Sequence, residues 1–211
     1  MAELLPPSPL LSTFFMASFI LAVTPGPGVL YIITRSLIQG RRHGLVSVAG
    51  VALGNLGNAF ATSLGLAALF ALSSTVFTLV KYAGALYLVY LGVQTLRSPV
   101  VNNPVPAVTP LIRVFRDGFV VALLNPKTTL FFAAFLPQFL SSNTSMQQSM
   151  LLGSLFVAIA AITDSAYALL AGTVAPVLRS NGAFRLGKCL GGSVFIGLGI
   201  FTALFGTRST Q

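Results

Sequence analysis

Two proline-containing motifs interrupt long apolar segments of this chain, one in each half. The first is Thr24-Pro25-Gly26-Pro27-Gly28, and the second is Asn125-Pro126-Lys127. Proline has no amide hydrogen and clashes with the carbonyl four residues earlier, so each motif should break a helix. In a membrane the freed backbone groups cannot reach water, and such breaks persist only where protein or a polar cavity satisfies them. Paired breaks in corresponding positions are typical of a transporter's central binding site.

The composition favours an integral membrane protein of all-α class. Hydrophobic residues make up 55% of the 211 residues and charged residues only 7%. At roughly 20 residues per span, the apolar segments predict about six transmembrane helices. We expect a single transmembrane transport domain over residues 1–211, with one half at about 11–96, a cytoplasmic linker at 97–117 and a second half at about 118–206.

The basic residues are distributed asymmetrically between the connections. Nine of the twelve Lys and Arg residues lie in the first, third and fifth connections: Arg35, Arg41, Arg42, Arg97, Arg113, Arg116, Arg179, Arg185 and Lys188. The positive-inside rule assigns these connections to the cytoplasm and both termini to the outside. A basic folded face with interleaved aromatic residues is absent, so the net charge of +9 does not indicate a nucleic-acid partner. The expected macromolecular surroundings are membrane lipid.

The two halves resemble each other. Five residues of the third segment recur 107 positions later in the sixth: Lys81, Gly84, Leu91, Gly92 and Thr95 match Lys188, Gly191, Leu198, Gly199 and Thr202. Because each half crosses the membrane an odd number of times, the copies would have opposite orientations. The sequence therefore predicts two inverted three-helix repeats, with the first and fourth helices broken.

The first motif is interpreted as a substrate-binding segment made of Thr24, Pro25, Gly26, Pro27 and Gly28. The two prolines should leave the carbonyls of Leu21 and Val23 without their usual donors. The glycines permit an unwound turn and close approach of a ligand. A half-helix that begins at the break directs its amides and positive dipole end at an anionic group. A purely structural kink is the alternative.

The second motif adds a positive charge at the same depth. Pro25 lies ten residues before Arg35, and Pro126 lies ten residues after Arg116. At 1.5 Å per residue each break is about 15 Å from the basic face, near the bilayer midplane. A lysine at this depth costs at least about 2.5 kcal/mol unless it is paired or hydrated. Asn125, Pro126 and Lys127 are therefore predicted to bind substrate, with a snorkelling lysine or an internal ion pair as alternatives.

Asp164 is the acidic residue that lies well inside an apolar segment. Intramembrane carboxylates usually line a cavity and act as proton or cation sites. We predict that Asp164 couples transport to protons or binds a substrate amine; a static pair with Lys127 is the alternative. Asn55 and Tyr167 are weaker candidates for the polar lining, and hydrogen bonding between helices would equally explain Asn55.

Other features argue against different chemistries. The single Cys189 excludes an intramolecular disulfide, and His43 has no histidine partner for a zinc or haem site. We expect no metal or cofactor. Gly50 and Gly54 form a small-residue pair typical of close helix packing. A membrane enzyme would need a nucleophile or base with an oriented partner, which the sequence does not offer near Asp164, so we expect no enzymatic activity.

These motifs resemble the lysine exporter (LysE/RhtB) family. The resemblance rests on residues 19–35 with Thr-Pro-Gly-Pro, residues 40–54, residues 81–88 and residues 115–139 with Leu-Asn-Pro-Lys. It covers nearly the whole chain in order. It implies a protein of the bacterial inner membrane that exports amino acids or close derivatives, driven by the proton gradient.

Together these observations predict a secondary-active amino-acid exporter that works by alternating access. The alternative within transport is an exporter of a cation or another small solute on the same scaffold. Assembly into a homo-oligomer is compatible with so small a bundle but is not required by the sequence.

Overall fold

The computed structural model describes residues 5–64, 74–97, 109–140, 146–174 and 181–205, and every regular element among them is helical. In chain order the helices are α1 (Ser8–Val23), α2 (Pro27–Gln39), α3 (Arg41–Ser63), α4 (Ser74–Arg97), α5 (Leu111–Leu123), α6 (Pro126–Leu130), α7 (Met146–Val174) and α8 (Asn181–Phe205). A π-helical turn, Phe131–Phe135, and a 3₁₀ turn, Leu136–Phe139, continue α6. The prediction of an all-α fold is confirmed for these residues.

Both proline motifs break helices. The first separates α1 from α2, which are bent by 48° relative to each other. The second separates α5 from α6. Pro27 and Pro126 occupy the first position of α2 and α6, where the missing amide hydrogen has no intrahelical acceptor to lose. The prolines therefore end one helix and begin the next.

Two of the described helices, α3 and α7, are long and apolar enough to cross a membrane, and the bent pair α1–α2 forms a third candidate span. Large apolar side chains cover their outer surfaces, including Met16, Leu53 and Ile162. An apolar exterior of this kind is suited to lipid. The arrangement of six spans as two inverted repeats stays a prediction.

Two apolar clusters form the core. One joins α1, the π-helical turn and α7 through Phe14, Phe132 and Phe156. The other joins α2, α3, α5 and α8 through Tyr31, Val51, Val121 and Phe195, among others. The two proline breaks lie between these clusters, so rigid apolar packing on both sides holds the irregular backbone in place.

Close contact between α3 and α5 depends on two glycines. A Cβ atom on Gly50 would overlap the carbonyl oxygen of Phe115, and one on Gly54 would lie 2.5 Å from the carbonyl oxygen of Phe119 and 2.7 Å from Cβ of Ala122. The expectation that Gly50 and Gly54 serve helix packing is confirmed. This contact holds the last two turns of α5 against α3, next to the second break.

Gly54→Ala should therefore force α3 and α5 apart and destabilise the protein by about 1–3 kcal/mol. Gly197→Ala on α8 is the matched control, because a Cβ atom there meets nothing within 4 Å and alanine is the better helix former. The melting temperature in detergent, read by size-exclusion chromatography after heating, should fall for Gly54→Ala and not for Gly197→Ala. Equal melting temperatures would contradict this account of the interface.

Candidate functional site

The first break exposes backbone carbonyls that α1 cannot satisfy. The amide and the hydroxyl of Thr24 both donate to the carbonyl of Ile20, at 3.0 and 2.6 Å. The next carbonyls, those of Leu21 and Val23, would be bonded by residues 25 and 27 in a continuous helix, and both positions are proline.

Side chains from the second half of the chain supply the missing donors. The Lys127 ammonium donates to the carbonyl of Leu21 at 2.7 Å and also to the carbonyl of Thr24. The Tyr167 hydroxyl donates to the carbonyl of Val23 at 2.8 Å. The predicted loss of donors is confirmed, and α6 and α7 provide the replacements.

The second break is capped by its own asparagine. The Asn125 side-chain oxygen accepts the amide hydrogen of Lys127 at 3.1 Å, and the Asn125 backbone carbonyl accepts from the Thr129 hydroxyl at 3.0 Å. The other side-chain atom of Asn125, Nδ2, lies toward Gly28, where an added Cβ atom would be 4.0 Å from it. Asn125 thus holds the start of α6 and faces the first break.

A cavity of about 40 Å³ lies where the two breaks meet. Its polar and backbone lining includes six of the predicted site residues, Gly26, Gly28, Asn55, Asn125, Lys127 and Asp164, and also Thr128, which was not predicted. Val29, Val51, Phe156 and Ala160 are among its apolar walls. Of the other predicted residues, Tyr167 does not line the cavity but donates to the carbonyl of Val23 at the first break. Thr24 lies at a neighbouring apolar groove of about 440 Å³, which shares Leu21 and Lys127 with the cavity. Pro25, Pro27 and Pro126 shape the backbone and are not part of the cavity wall.

Asn55 presents an unused acceptor to this cavity. The residue is only 5% exposed, and its side-chain oxygen has no hydrogen-bond partner among the described residues. A buried amide oxygen without a donor costs free energy, so native proteins usually pair it with protein, water or ligand. Asn55 is therefore the side chain that most clearly indicates a ligand.

Asp164 brings a carboxylate to the same cavity and is 5% exposed. Its oxygens are not within the 4.0 Å of an ion pair with Lys127, because the ammonium of Lys127 is bonded to the carbonyls of α1 and the break. The static pair considered as an alternative for Asp164 is not formed in this structure. The cavity thus holds one negative and one positive side chain whose charges do not cancel by direct contact.

The sequence predicts that Asp117 is the last residue of the cytoplasmic linker. The structure instead starts α5 at Leu111 and buries Asp117 to 1% exposure. Its oxygens lie 3.5 Å from the guanidinium of Arg35, 3.5 Å from that of Arg116 and 3.1 Å from the Tyr87 hydroxyl, which donates to it. The missed signal was the helical spacing of Val114, Asp117 and Val121, which places Asp117 on an otherwise apolar face.

The described part of the chain contains no group of three or more His, Cys, Asp or Glu side chains that could hold a metal ion. The polar groups at the cavity offer hydrogen bonds and charge: the side-chain amides of Asn55 and Asn125, the Thr128 hydroxyl, one carboxylate, one ammonium and the backbone amides at the start of α2.

Lys127→Met should destabilise the protein by about 2–3 kcal/mol, because two buried carbonyls lose a charged donor. Tyr167→Phe should cost about 1 kcal/mol through the Val23 carbonyl. Tyr90→Phe is the control, since this exposed hydroxyl only meets Gln94 on the same helix. In detergent, the melting temperature should be highest for Tyr90→Phe, lower for Tyr167→Phe and lowest for Lys127→Met. A Lys127→Met protein as stable as Tyr90→Phe would show that the ammonium does not hold the break.

Comparison with known proteins identifies the scaffold. The family model of the LysE type translocator matches residues 19–206. The chain is 31% identical to an uncharacterized membrane protein of Vibrio cholerae serotype O1 over 193 residues, covering 90% of this chain and 94% of that protein.

Two further relatives carry functional names. The homoserine/homoserine lactone efflux protein of Salmonella typhimurium is 28% identical over 90% of this chain and 94% of its own length. The leucine efflux protein of Salmonella choleraesuis is 30% identical over 61% of this chain and 62% of its own. No solved structure gives a significant match. The chain therefore belongs to the LysE type translocator family and is a membrane transporter, not an enzyme.

Proposed function

We propose that this protein is a secondary-active exporter of amino acids or close derivatives, and that the cavity between the two breaks is its substrate site. The observation that carries the proposal is the unpaired Asn55 oxygen, which shares a 40 Å³ cavity with Asp164, Lys127 and the start of α2. Relatives named for efflux of homoserine, homoserine lactone and leucine support the substrate class.

The polar groups of the cavity match the two ends of an α-amino acid. Asp164 and the Asn55 oxygen accept hydrogen bonds, which suits an α-ammonium group. At the first break, Gly28 and Val29 lie in the first turn of α2, where backbone amides have no intrahelical acceptor. Together with the Lys127 charge, this positive helix end suits a carboxylate or a lactone carbonyl.

The predicted site residues divide into two roles under this proposal. Gly26, Gly28, Asn55, Asn125 and Lys127 contact the substrate. Thr24, Pro25, Pro27, Pro126 and Tyr167 maintain the broken backbone that presents those groups. Asp164 binds the substrate amine in one state and a proton in the other.

Proton coupling follows from the cost of a buried charge. A carboxylate in an apolar surround is stable when it is paired or neutral and unfavourable when it is neither. When the substrate ammonium leaves Asp164 toward the outside, a proton that enters from the same side neutralises the carboxylate. Release of that proton to the cytoplasm prepares Asp164 for the next substrate, and export is thereby driven by the proton gradient.

Alternating access is favoured by the size of the cavity and by the pairing of the helices. By the measure used for buried waters, 40 Å³ holds a few water molecules, so an amino acid requires the cavity to expand. Two pairs of counterpart helices from the two halves pack on one another, α3 on α7 and α4 on α8. Inverted repeats that pack in this way would allow one half to rock against the other.

The proposed setting is the bacterial inner membrane with both termini outside. In the described bundle, α2 and α5 each have one end at a break and the other end away from it. Five basic residues lie toward the end away from the breaks: Arg35, Arg41, Arg42, Arg113 and Arg116. Under the positive-inside rule this end faces the cytoplasm. Each copy contains a complete cavity, so export does not require a homo-oligomer.

The proposal is tested by loading cells with dipeptides and measuring amino acids in the medium over time, with and without this protein. Faster, protonophore-sensitive appearance of one amino-acid class is the expected result. No difference for any dipeptide, with the protein present in the membrane, would contradict amino-acid export and favour a cation or another small solute.

Asp164→Asn should abolish protonophore-sensitive export in this assay, because the amide can neither bind nor release the coupling proton. Ser165→Ala on the same helix is the control, since that hydroxyl bonds only to the carbonyl of Ala161. Retained export by Asp164→Asn with unchanged protonophore sensitivity would remove the coupling role and leave the exporter function intact.

Asn55→Leu should raise the internal concentration for half-maximal export about tenfold, a loss of about 1.4 kcal/mol of binding. It should not lower the melting temperature, because the Asn55 oxygen makes no hydrogen bond to the described protein. Asn58→Leu is the comparison: Asn58 donates to the carbonyl of Ala122 at 3.1 Å, so its loss should lower the melting temperature. Unchanged half-saturation in Asn55→Leu would exclude Asn55 from the substrate site.

A further inference from the structure

Outside the cavity, polar side chains are concentrated in the contact between α2 and α5. We define the α2–α5 seam by Tyr31, Arg35 and Gln39 on one side and by Thr109, Arg113 and Asp117 on the other. Arg35 pairs with Asp117 at 3.5 Å, and the Gln39 amide donates to the Thr109 hydroxyl at 2.7 Å. The Tyr31 hydroxyl donates to the carbonyl of Val114 at 2.8 Å. Bonds therefore cross this contact at three levels.

The seam connects the cavity to the basic end of the protein. From Gly26 and Gly28 at the cavity, the chain runs along α2 to Arg35 and Gln39. From Thr109 it runs back along α5 to Asn125 at the cavity. The two helices are the cytoplasmic arms of the two broken segments. A path between α2 and α5 would join the basic end of the protein to the cavity.

The two sides of the seam are in contact, but several of its buried polar atoms lack hydrogen-bond partners among the described residues. Six buried side-chain N and O atoms lack a hydrogen-bond partner among the described residues. Three of them lie in the seam, Nε of Arg35, Oε1 of Gln39 and Nε of Arg113, and a fourth, Nδ1 of His43, lies beside it. His43 adjoins the seam through its other ring nitrogen, which lies 3.2 Å from the carbonyl of Thr109. Water entering an opened seam would satisfy all four atoms, so hydration favours opening while the Arg35–Asp117 pair opposes it.

We propose that the α2–α5 seam is the cytoplasmic gate through which the substrate reaches the cavity, and that Arg35, Asp117 and Tyr87 form its latch. This inference rests on the proposed function, because it assigns the seam to the substrate's path. Asp117 is the centre of the latch: Arg35 holds it from α2, and the Tyr87 hydroxyl holds it from α4. Opening breaks the contact between α2 and α5 and connects the cavity to the basic end of the protein.

The gate is tested by thiol labelling in a Cys189→Ser background, which removes the single native cysteine. The reporter is Val121→Cys, one helical turn deeper than Asp117 and buried. A second reporter, Val157→Cys, is equally buried in the other apolar cluster and away from the seam. Inside-out membrane vesicles are treated with a membrane-impermeant maleimide, without substrate.

In the Asp117→Asn background, labelling of Val121→Cys should accelerate about tenfold, and labelling of Val157→Cys should stay slow. Arg116→Gln is the matched control, because Arg116 contacts the same carboxylate but its side chain is 65% exposed. It should change the rate less than about twofold. With the reagent outside right-side-out cells, Val121→Cys should remain unlabelled in every background.

Two results would overturn the gate: an unchanged Val121→Cys rate in Asp117→Asn, or faster labelling from the outside. If both reporters accelerate in Asp117→Asn, that variant has lost its fold, and Gln39→Ala decides instead. It removes only the bond to Thr109 at the edge of the seam, so it should accelerate Val121→Cys alone, and a rate equal to the parent would overturn the gate. The labelling experiment needs no substrate and is therefore independent of the export assay. An unchanged labelling rate would contradict the gate but not amino-acid export, and a lack of export would contradict the proposed function but not the labelling result.

Discussion

A carbonyl group inside a membrane must have a donor, and this requirement governs the centre of the protein. Prolines at positions 25 and 27 remove two donors from the first broken helix. The ammonium of Lys127 and the hydroxyl of Tyr167, both from the second half, replace them. Because the replacement comes from the other half, the two breaks are held against each other, and the cavity exists where they meet. This contact adds to the apolar packing that stabilises the irregular backbone.

The same hydrogen bonds determine how charge is arranged in the cavity. An ammonium that is committed to backbone carbonyls does not pair directly with Asp164, although both line the cavity. The carboxylate therefore remains available to a second cation, which in the proposed cycle is alternately the substrate amine and a proton. The unpaired Asn55 oxygen adds an acceptor beside it. At the basic end, the second buried carboxylate, Asp117, is fully engaged and is suited to holding the path closed.

The breaks and the role of Gly50 and Gly54 in helix packing could be predicted from the sequence, because proline and glycine act through local sterics. That α5 is the helix packed against these glycines could not be predicted. The freed carbonyls of Leu21 and Val23 follow from the same local rule. Their donors could not be predicted: Lys127 and Tyr167 lie more than a hundred residues away along the chain, at sequence separations of 106 and 144. Whether a buried lysine bonds to a carboxylate or to carbonyls depends on packing that spacing does not encode.

The burial of Asp117, in contrast, could have been predicted from the sequence but was not. Its neighbours Arg113 and Arg116 made the segment look like a solvated linker, whereas helical spacing places Asp117 on the buried face and Arg116 on the exposed one. Charge alone thus misassigned a residue that the helical period could have placed. The position of its partner Arg35 depends on the packing of α2 against α5 and could not be read from either segment.

If the cavity between the breaks holds the transported amino acid, bound substrate must shield the cavity wall from a thiol reagent. Ala160 lines the cavity, so an Ala160→Cys reporter in the Cys189→Ser background would occupy the site itself. We expect the amino acid identified by export to slow maleimide labelling of this cysteine, with half-protection near the concentration for half-maximal export. An amino acid that is exported but leaves the labelling rate unchanged at saturating concentration would place the substrate site elsewhere.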